Sequence, residues 1–289
     1  MPHISIITPS FNQAPYLREA MESILSQDYD DFEYIVIDGG SSDGSAAIIK
    51  EYAHRLAYWV SEPDKGQTHA IKKGLQHARG DIIHWINSDD VLLPGALKHV
   101  SDVFRKHTVD VYLGQTIVFG RQPEQLSVTP FGSPAQVFNK AKIEQPSALF
   151  RRSVYEQVPL NQKLHYAMDL DFWMRYLLHS GFGRVYQDNT PLIKFREHGH
   201  SKSVSAAAAM LRERIQVMEN IKQLLEQNSA GFTPSEISLY KKAICDFQVF
   251  QIQRSELFSK KERRELWKST DLSALAPIQR LIYRWHQIV

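Results

Sequence analysis

Two adjacent aspartates, Asp89 and Asp90, end the run Trp85-Ile86-Asn87-Ser88 and precede Val91-Leu92-Leu93-Pro94-Gly95. Like charges side by side repel, so the pair is explained either by a cation held between them or by a loop wet enough to screen them. Carboxylate oxygens suit hard ions such as Mg2+ or Mn2+, which commonly share their coordination with substrate phosphates. The pair predicts a metal-bridged phosphate ligand; the simpler alternative is a solvated N-cap before a helix opened by Pro94. A second acidic pair, Asp169 and Asp171 in Ala167-Met168-Asp169-Leu170-Asp171-Phe172-Trp173, falls at a helix start. Negative charge there is favoured by about 0.3–1 kcal/mol, and capping alone explains one of the two. A third cluster is Arg196-Glu197-His198-Gly199-His200-Ser201-Lys202. Its imidazoles suit a metal or a diphosphate, and His200 and Lys202 are alternatives for the phosphate contact.

The elements that must position these groups are legible as hydrophobic runs. Ile4 to Thr8 reads as a buried strand stopped at Pro9-Ser10, and Leu17, Ala20, Met21, Ile24 and Leu25 form one helical face opened by Pro15. A second strand, Phe32 to Ile37, ends at Asp38-Gly39-Gly40 before a helix over Ser45 to Tyr52. A third, Ala57 to Val60, runs into Glu62-Pro63-Asp64-Lys65-Gly66 and a helical stripe from Ala70 to Ala78; a fourth, Asp81 to Ile86, delivers the acid pair. Strands alternating with helices at this spacing mean an α/β fold with a parallel sheet. Ligands of such sheets bind beyond the carboxyl ends of the strands, so all four polar loops are expected on one edge, where a nucleotide fits. There is no G-x-G-x-x-G after the first strand and no G-x-x-x-x-G-K-[ST], which removes the main support for dinucleotide and P-loop readings.

Composition narrows the class. The chain has 289 residues, 43% hydrophobic and 23% charged, with a net charge of +2 that gives no argument for nucleic acid. The charge is uneven: from Tyr240 onward the chain carries +5, and the remainder carries −3. A lone cysteine, Cys245, excludes an intrachain disulfide and fits a reducing compartment. No signal-peptide pattern or bilayer-length apolar run is present, so a cytoplasmic location is expected.

The ordered segments Thr8-Pro9-Ser10-Phe11-Asn12, Ile37-Asp38-Gly39-Gly40-Ser41-Ser42-Asp43-Gly44, Asp64-Lys65-Gly66 and Trp85-Ile86-Asn87-Ser88-Asp89-Asp90 resemble the donor-site motifs of family-2 glycosyltransferases. The resemblance covers roughly Ile4 to Ser203. It implies a GT-A fold, a mostly parallel sheet flanked by helices, and an inverting transfer from a nucleotide diphosphate sugar, usually with a divalent metal. By resemblance, Pro9, Ser10, Asp38, Gly39, Asp64, Lys65, Asn87 and Asp89 belong to the nucleotide-sugar site, and Asp89, Asp90 and His198 to Mn2+ or Mg2+. Uridine is the nucleoside the family implies. Asn87 departs from the aspartate many relatives carry, and Met168 from the glutamate that often precedes the base. Asp169 stands at the position of the general base, which takes the proton of an acceptor hydroxyl as it attacks the anomeric carbon. Gln145 and Trp173 are expected on the acceptor side.

The expected division is a glycosyltransferase domain over 1–204, with a nucleotide-sugar half (1–107) and an acceptor half (108–204), followed by a helical C-terminal extension over 205–289. Strands are expected at Val109 to Leu113, Thr116 to Phe119 and Pro191 to Phe195, with a helix around Arg152 to Gln157. Arg121 to Lys140 lacks periodicity and reads as a flap over the acceptor or a plain surface loop. The basic, aromatic segment Ile278 to Val289 suits a membrane surface holding a lipid-linked acceptor, or packing on its own domain or a dimer partner. The expected acceptor is a glycan or lipid-linked sugar. Two other functions remain open at this level: a nucleotidyltransferase using the same carboxylates, and a non-catalytic nucleotide-sugar-binding scaffold.

Overall fold

The computed structural model describes residues 3–120, 123–199, 201–227, 231–277 and 279–280. His200 and, apart from Gln279 and Arg280, the basic aromatic C-terminal segment lie outside the described residues.

The first half alternates as its sequence predicts: β1 (Ile4–Ser10), α1 (Ala14–Leu25), β2 (Phe32–Asp38), α2 (Ser45–Glu51), β3 (Tyr58–Ser61), α3 (Gln67–His77) and β4 (Ile82–Trp85). These strands pair in parallel in the order β3-β2-β1-β4. Their register puts Ser10 opposite Asp38 and Asp38 opposite Ser61, so three strands end on one line and release their loops together. Every residue of β1 is buried, Ser5, Thr8 and Ser10 included, so the strand lacks the regular apolar–polar alternation of a half-exposed one. Helix α3 crosses β1 so closely that a Cβ on Gly74 would lie 2.4 Å from Ile7 Cγ2. Glycine is required at that contact for space, with no special backbone conformation.

Beyond β4 the sheet becomes mixed. β5 (Val91–Leu92), α4 (Ala96–Lys106), β6 (Val111–Phe119), β7 (Gln125–Ser127), α5 (Pro134–Lys140), β8 (Ala148–Arg151), α6 (Arg152–Gln157), α7 (Met168–Ser180) and β9 (Val185–Arg196) complete a nine-stranded sheet in the order β3-β2-β1-β4-β8-β6-β9-β5, with β7 beside β6. β8 is antiparallel to both β4 and β6, whereas β9 runs parallel to β6 and antiparallel to β5. The two strands expected around Gly114 are one continuous β6, whose pairing with β9 shifts register on either side of Gln115. Gly114 marks a close approach, since a Cβ there would lie 2.8 Å from Leu192 Cγ. The segment from Arg121 to Lys140 holds β7 and α5.

The C-terminal extension is helical: α8 (Lys202–Ser205), α9 (Ala207–Gln227), α10 (Pro234–Arg254) and α11 (Lys260–Ser269). Val217, Met218 and Ile221 of α9, with Ile244 and Phe247 of α10, enter the same core as Ile7, Trp85 and Phe172. Helix α11 closes a smaller core around Leu211, Cys245, Phe258 and Trp267. The capping boxes Thr233/Glu236 and Ser259/Glu262 start α10 and α11. Among the described residues no helix is long and apolar enough to cross a membrane.

His84 of β4 is fully buried, and its Nε2–H donates to the Pro146 carbonyl at 2.8 Å. Desolvation pushes its pKa down to about 4. The unfolded chain therefore takes up a proton below about pH 6.5 that the folded protein resists until about pH 4, and stability falls across that window. The loss from this group amounts to about 3 kcal/mol. Urea unfolding at pH 7.5 and pH 4 should show a shallower dependence by about that amount in His84→Gln, whose amide can keep the Pro146 bond without titrating. An unchanged dependence would remove His84 as the cause.

Candidate active site

The donor loops are latched to one another. Asp38, at the end of β2, is fully buried and accepts from the N–H groups of Gly40 (3.2 Å) and Ser41 (2.9 Å) and from the hydroxyls of Ser41 (2.5 Å) and Ser61 (2.6 Å). Its carboxylate thus shapes the loop expected to face a base. Gly39 allows Asp64 to lie against that loop, because a Cβ there would be 2.9 Å from Asp64 Oδ2. Asp64 Oδ1 accepts from the Gly66 N–H at 2.7 Å, and Lys65 lines a cleft of about 220 Å3 with Gln67, Thr68, Leu164, Tyr166 and Lys202. Pro9 is buried inside β1 opposite Ile37. Ser10 is also buried, and its hydroxyl has no hydrogen-bond partner among the described residues. A buried orphan hydroxyl at a strand end is costly unless a ligand satisfies it.

The acid pair is organised by a two-residue strand. β5 pairs antiparallel with β9, Val91 opposite Lys194, and this carries Arg196 to His198 beside Asp89 and Asp90 from more than a hundred residues away. His198 Nε2 lies 3.1 Å from Asp89 Oδ2, and the Tyr16 ring packs against the imidazole, tilted by 35° with centroids 4.5 Å apart. Arg196 donates its backbone N–H to Asp90 Oδ1 (3.1 Å), its Nε–H to the Asp89 carbonyl (3.0 Å) and a guanidinium N–H to Glu19 (2.5 Å). Its cation sits over the rings of Phe119 and Tyr16. Asn87 donates to Asp90 Oδ2 (3.1 Å) and accepts from Gln67 (2.7 Å), whose own oxygen accepts from Lys202 Nζ (2.9 Å).

These contacts split the aspartates by role. Asp90 is fully buried with both oxygens hydrogen-bonded inside the turn, and burial, then the charge of Asp89, raises its pKa well above the carboxylate range. Asp89 is partly exposed, and one of its oxygens lies beside His198. Among the described residues no three acidic, histidine or cysteine side chains converge as a metal cage. One carboxylate and one imidazole do fit an ion that draws its remaining ligands from phosphate and water. Both Asp90 oxygens are thus already engaged, one by Asn87 and one by the Arg196 N–H.

Asp169 lies in the first turn of α7, one oxygen accepting from the Leu170 N–H at 2.8 Å. Desolvation raises its pKa, opposed by that hydrogen bond and by the charge of Arg214. Asp171 is different: it pairs with Arg175, which also donates to the Pro159 carbonyl, so it serves α7 itself. Met168, in place of a glutamate, accepts through sulfur from Thr68 of α3 at 2.7 Å. Lys202 joins the halves. Desolvation lowers its pKa, while the carboxylates of Asp64, Asp169, Glu213 and Asp89, in that order, raise it.

Gln145 and Trp173 are buried. The Gln145 amide donates to the Trp85 carbonyl (2.9 Å), and Trp173, only 2% exposed, packs on Phe172, Phe150 and Trp85. Both hold the floor on which β4 and α7 meet, so neither offers a side-chain surface to an acceptor. Sequence reasoning missed Gln67, Glu213 and Arg214. Gln67 follows the Asp64-Lys65-Gly66 turn and was within reach of a reading that extended that motif. No local signal marks the other two on a long helix.

A family model described as Glycosyl transferase family 2 matches residues 5–159. An uncharacterized glycosyltransferase of Rickettsia typhi is 28% identical over 228 residues, which span 73% of this chain and 69% of the relative. Among solved structures, TarS 1–349 of S. aureus in complex with UDP-GlcNAc overlays with a TM-score of 0.72 at 20% identity, covering 92% of this chain and 78% of that one. A mannosyltransferase of Pyrobaculum calidifontis in complex with GDP-Man and Mn2+ overlays at 0.59 with 18% identity, covering 99% and 85%. The structural overlays establish a shared fold, while the family match covers more than half of the chain and includes all four donor loops; the protein belongs to glycosyltransferase family 2.

Proposed function

We propose that this glycosyltransferase moves a sugar, with inversion, from a uridine diphosphate sugar to a hydroxyl of a glycan or lipid-linked sugar, with Asp169 as the base. The observation that carries the reading is the hydrogen bond from Lys202 to Gln67, which joins the segment after β9 to the donor loops and leaves the cation within electrostatic reach of Asp64, Asp169 and Asp89. The acceptor oxygen attacks the anomeric carbon as its proton passes to the Asp169 carboxylate. The bond from that carbon to the diphosphate oxygen breaks, and the electron pair leaves with the nucleoside diphosphate. Asp89 and His198 would hold a divalent ion, which when bound neutralises the charge growing on that leaving group. Lys202, tethered to Gln67, contributes a further positive charge on the same side. The unpartnered Ser10 hydroxyl supports a polar donor group at the end of β1. For the nucleoside, support comes from the UDP-GlcNAc held by TarS on the same fold; the GDP-Man complex names the competing choice.

Thermal unfolding with UDP, GDP, UDP-GlcNAc and GDP-mannose, each with and without Mn2+, tests the donor site. A ligand at ~100 times its Kd adds ~2.7 kcal/mol, which for a chain of this size is a rise of several degrees. The expected result is a metal-dependent rise with UDP and its sugar. A rise confined to the guanine ligands would replace uridine, and no rise with any of them would overturn the donor site.

A further inference from the structure

Helix α9 belongs to the region beyond the donor motifs, yet it reaches the base. Glu213 directs its carboxylate at three consecutive backbone N–H groups preceding α7: those of His165 (3.0 and 3.2 Å), Tyr166 (2.5 Å) and Ala167 (2.6 Å). Ala167 is the N-cap of α7, so Glu213 takes from another helix the N-cap N–H and the two N–H groups that lead into it. Only Met168 separates the clamped segment from Asp169. The next residue of α9, Arg214, is half-buried, donates to the Ala141 carbonyl at 2.8 Å and lies over the Phe247 ring at 5.6 Å. These contacts fix its guanidinium within electrostatic reach of Asp169, with no direct ion pair among the described residues.

We propose that α9 completes the active site: Glu213 positions the turn that delivers Asp169, and Arg214 keeps that half-buried carboxylate charged. Both are positioning residues, and their role rests on Asp169 being the base. The charged groups that act on Asp169 come from three elements: Arg214 of α9 and Lys202 of α8 favour the carboxylate, whereas Glu144, ahead of β8, opposes it. Arg214 is the one held on a rigid helix by two contacts. The position of the base and part of its strength are therefore set from the C-terminal extension. Arginine suits this place because it remains charged when half-buried.

The test titrates Asp169 directly in the full-length protein, by carbon NMR of carboxyl-labelled aspartate, with the resonance identified by its loss in Asp169→Asn. In Arg214→Gln the midpoint is expected to rise by about one unit, and in Arg214→Lys to stay near wild type. For Glu213, hydrogen exchange at Tyr166 and Ala167 is expected to quicken about tenfold in Glu213→Ala, with amides in β1 unchanged. An unshifted midpoint in a folded Arg214→Gln protein, or unchanged exchange in Glu213→Ala, would overturn the corresponding half of the proposal. Turnover is scored separately, as nucleoside diphosphate released from UDP-GlcNAc with water as surrogate acceptor. A shifted midpoint, together with an Asp169→Asn protein that releases nucleoside diphosphate as fast as wild type, would sustain the link between α9 and Asp169 and sink the assignment of the base.

Discussion

Asp169→Asn is expected to lower transfer by ~10²–10⁴-fold, the usual worth of a general base, while leaving the affinity for the nucleotide sugar intact. Asparagine keeps the size and the hydrogen bond from the Leu170 N–H but cannot take a proton. Unfolding is not expected, since desolvation disfavours the native charge and its replacement by a neutral amide relieves that cost. The measurement is kcat and KM for donor turnover beside donor binding by calorimetry. Loss of binding together with turnover would make Asp169 a donor ligand, and retained turnover would remove it from the reaction. The pH profile supplies a second check. The base works only when ionised, and desolvation holds its pKa above the ordinary aspartate value, so kcat/KM should fall as pH drops through that raised value. The acid side of the profile should consequently lie above that of an unburied aspartate.

The first half of the fold was legible because its central strands, β1 and β4, are wholly buried and β2 is buried over its last five residues. Ile4 to Thr8 and Phe32 to Ile37 have few polar interruptions, and proline or glycine marks where they stop, so element type and the shared edge of the loops both follow from the pattern. The acceptor half was legible in part, because there the sequence signals are short or have two readings. Gly114 looks like a break between strands, but it serves the close approach of β9 within a single strand. β5 has two residues, too few for any periodicity, yet it is what brings His198 to Asp89. The site divides the same way. Strand-end motifs announced Asp38, Asp64 and Asp89, but nothing local separates Asp89 from Asp90, or Asp169 from Asp171. The difference lies in what comes from far along the chain: the Arg196 N–H that occupies Asp90, and the burial that leaves Asp171 to Arg175. Glu213 and Arg214 were illegible for a related reason. On their own helix they are an ordinary charged pair, and they acquire a role only when α9 and α7 are packed together.

The distinction between the two adjacent aspartates yields the second large effect. In Asp89→Ala the metal-dependent part of nucleotide binding should vanish while the protein unfolds within a few degrees of wild type, because the lost carboxylate is partly exposed and its partner His198 remains beside Tyr16. In Asp90→Ala the Arg196 N–H and the Asn87 amide lose their acceptor inside a buried turn. An unsatisfied buried donor costs about 1–3 kcal/mol, so a marked fall in Tm is expected even without ligand. Because Arg196 anchors β9 beside the turn, that damage should also loosen His198 and weaken nucleotide binding, but as a consequence of lost structure. Unfolding curves of both variants, with and without UDP and Mn2+, separate the cases. If Asp90→Ala loses only the metal-dependent shift and keeps its Tm, while Asp89→Ala retains that shift, the assignments are reversed. The two residues would then have to exchange surroundings when nucleotide binds, with Asp90 giving up the Arg196 N–H. The β5–β9 pairing opposes that exchange, since the strand that presents Arg196 is held by the residue immediately after Asp90.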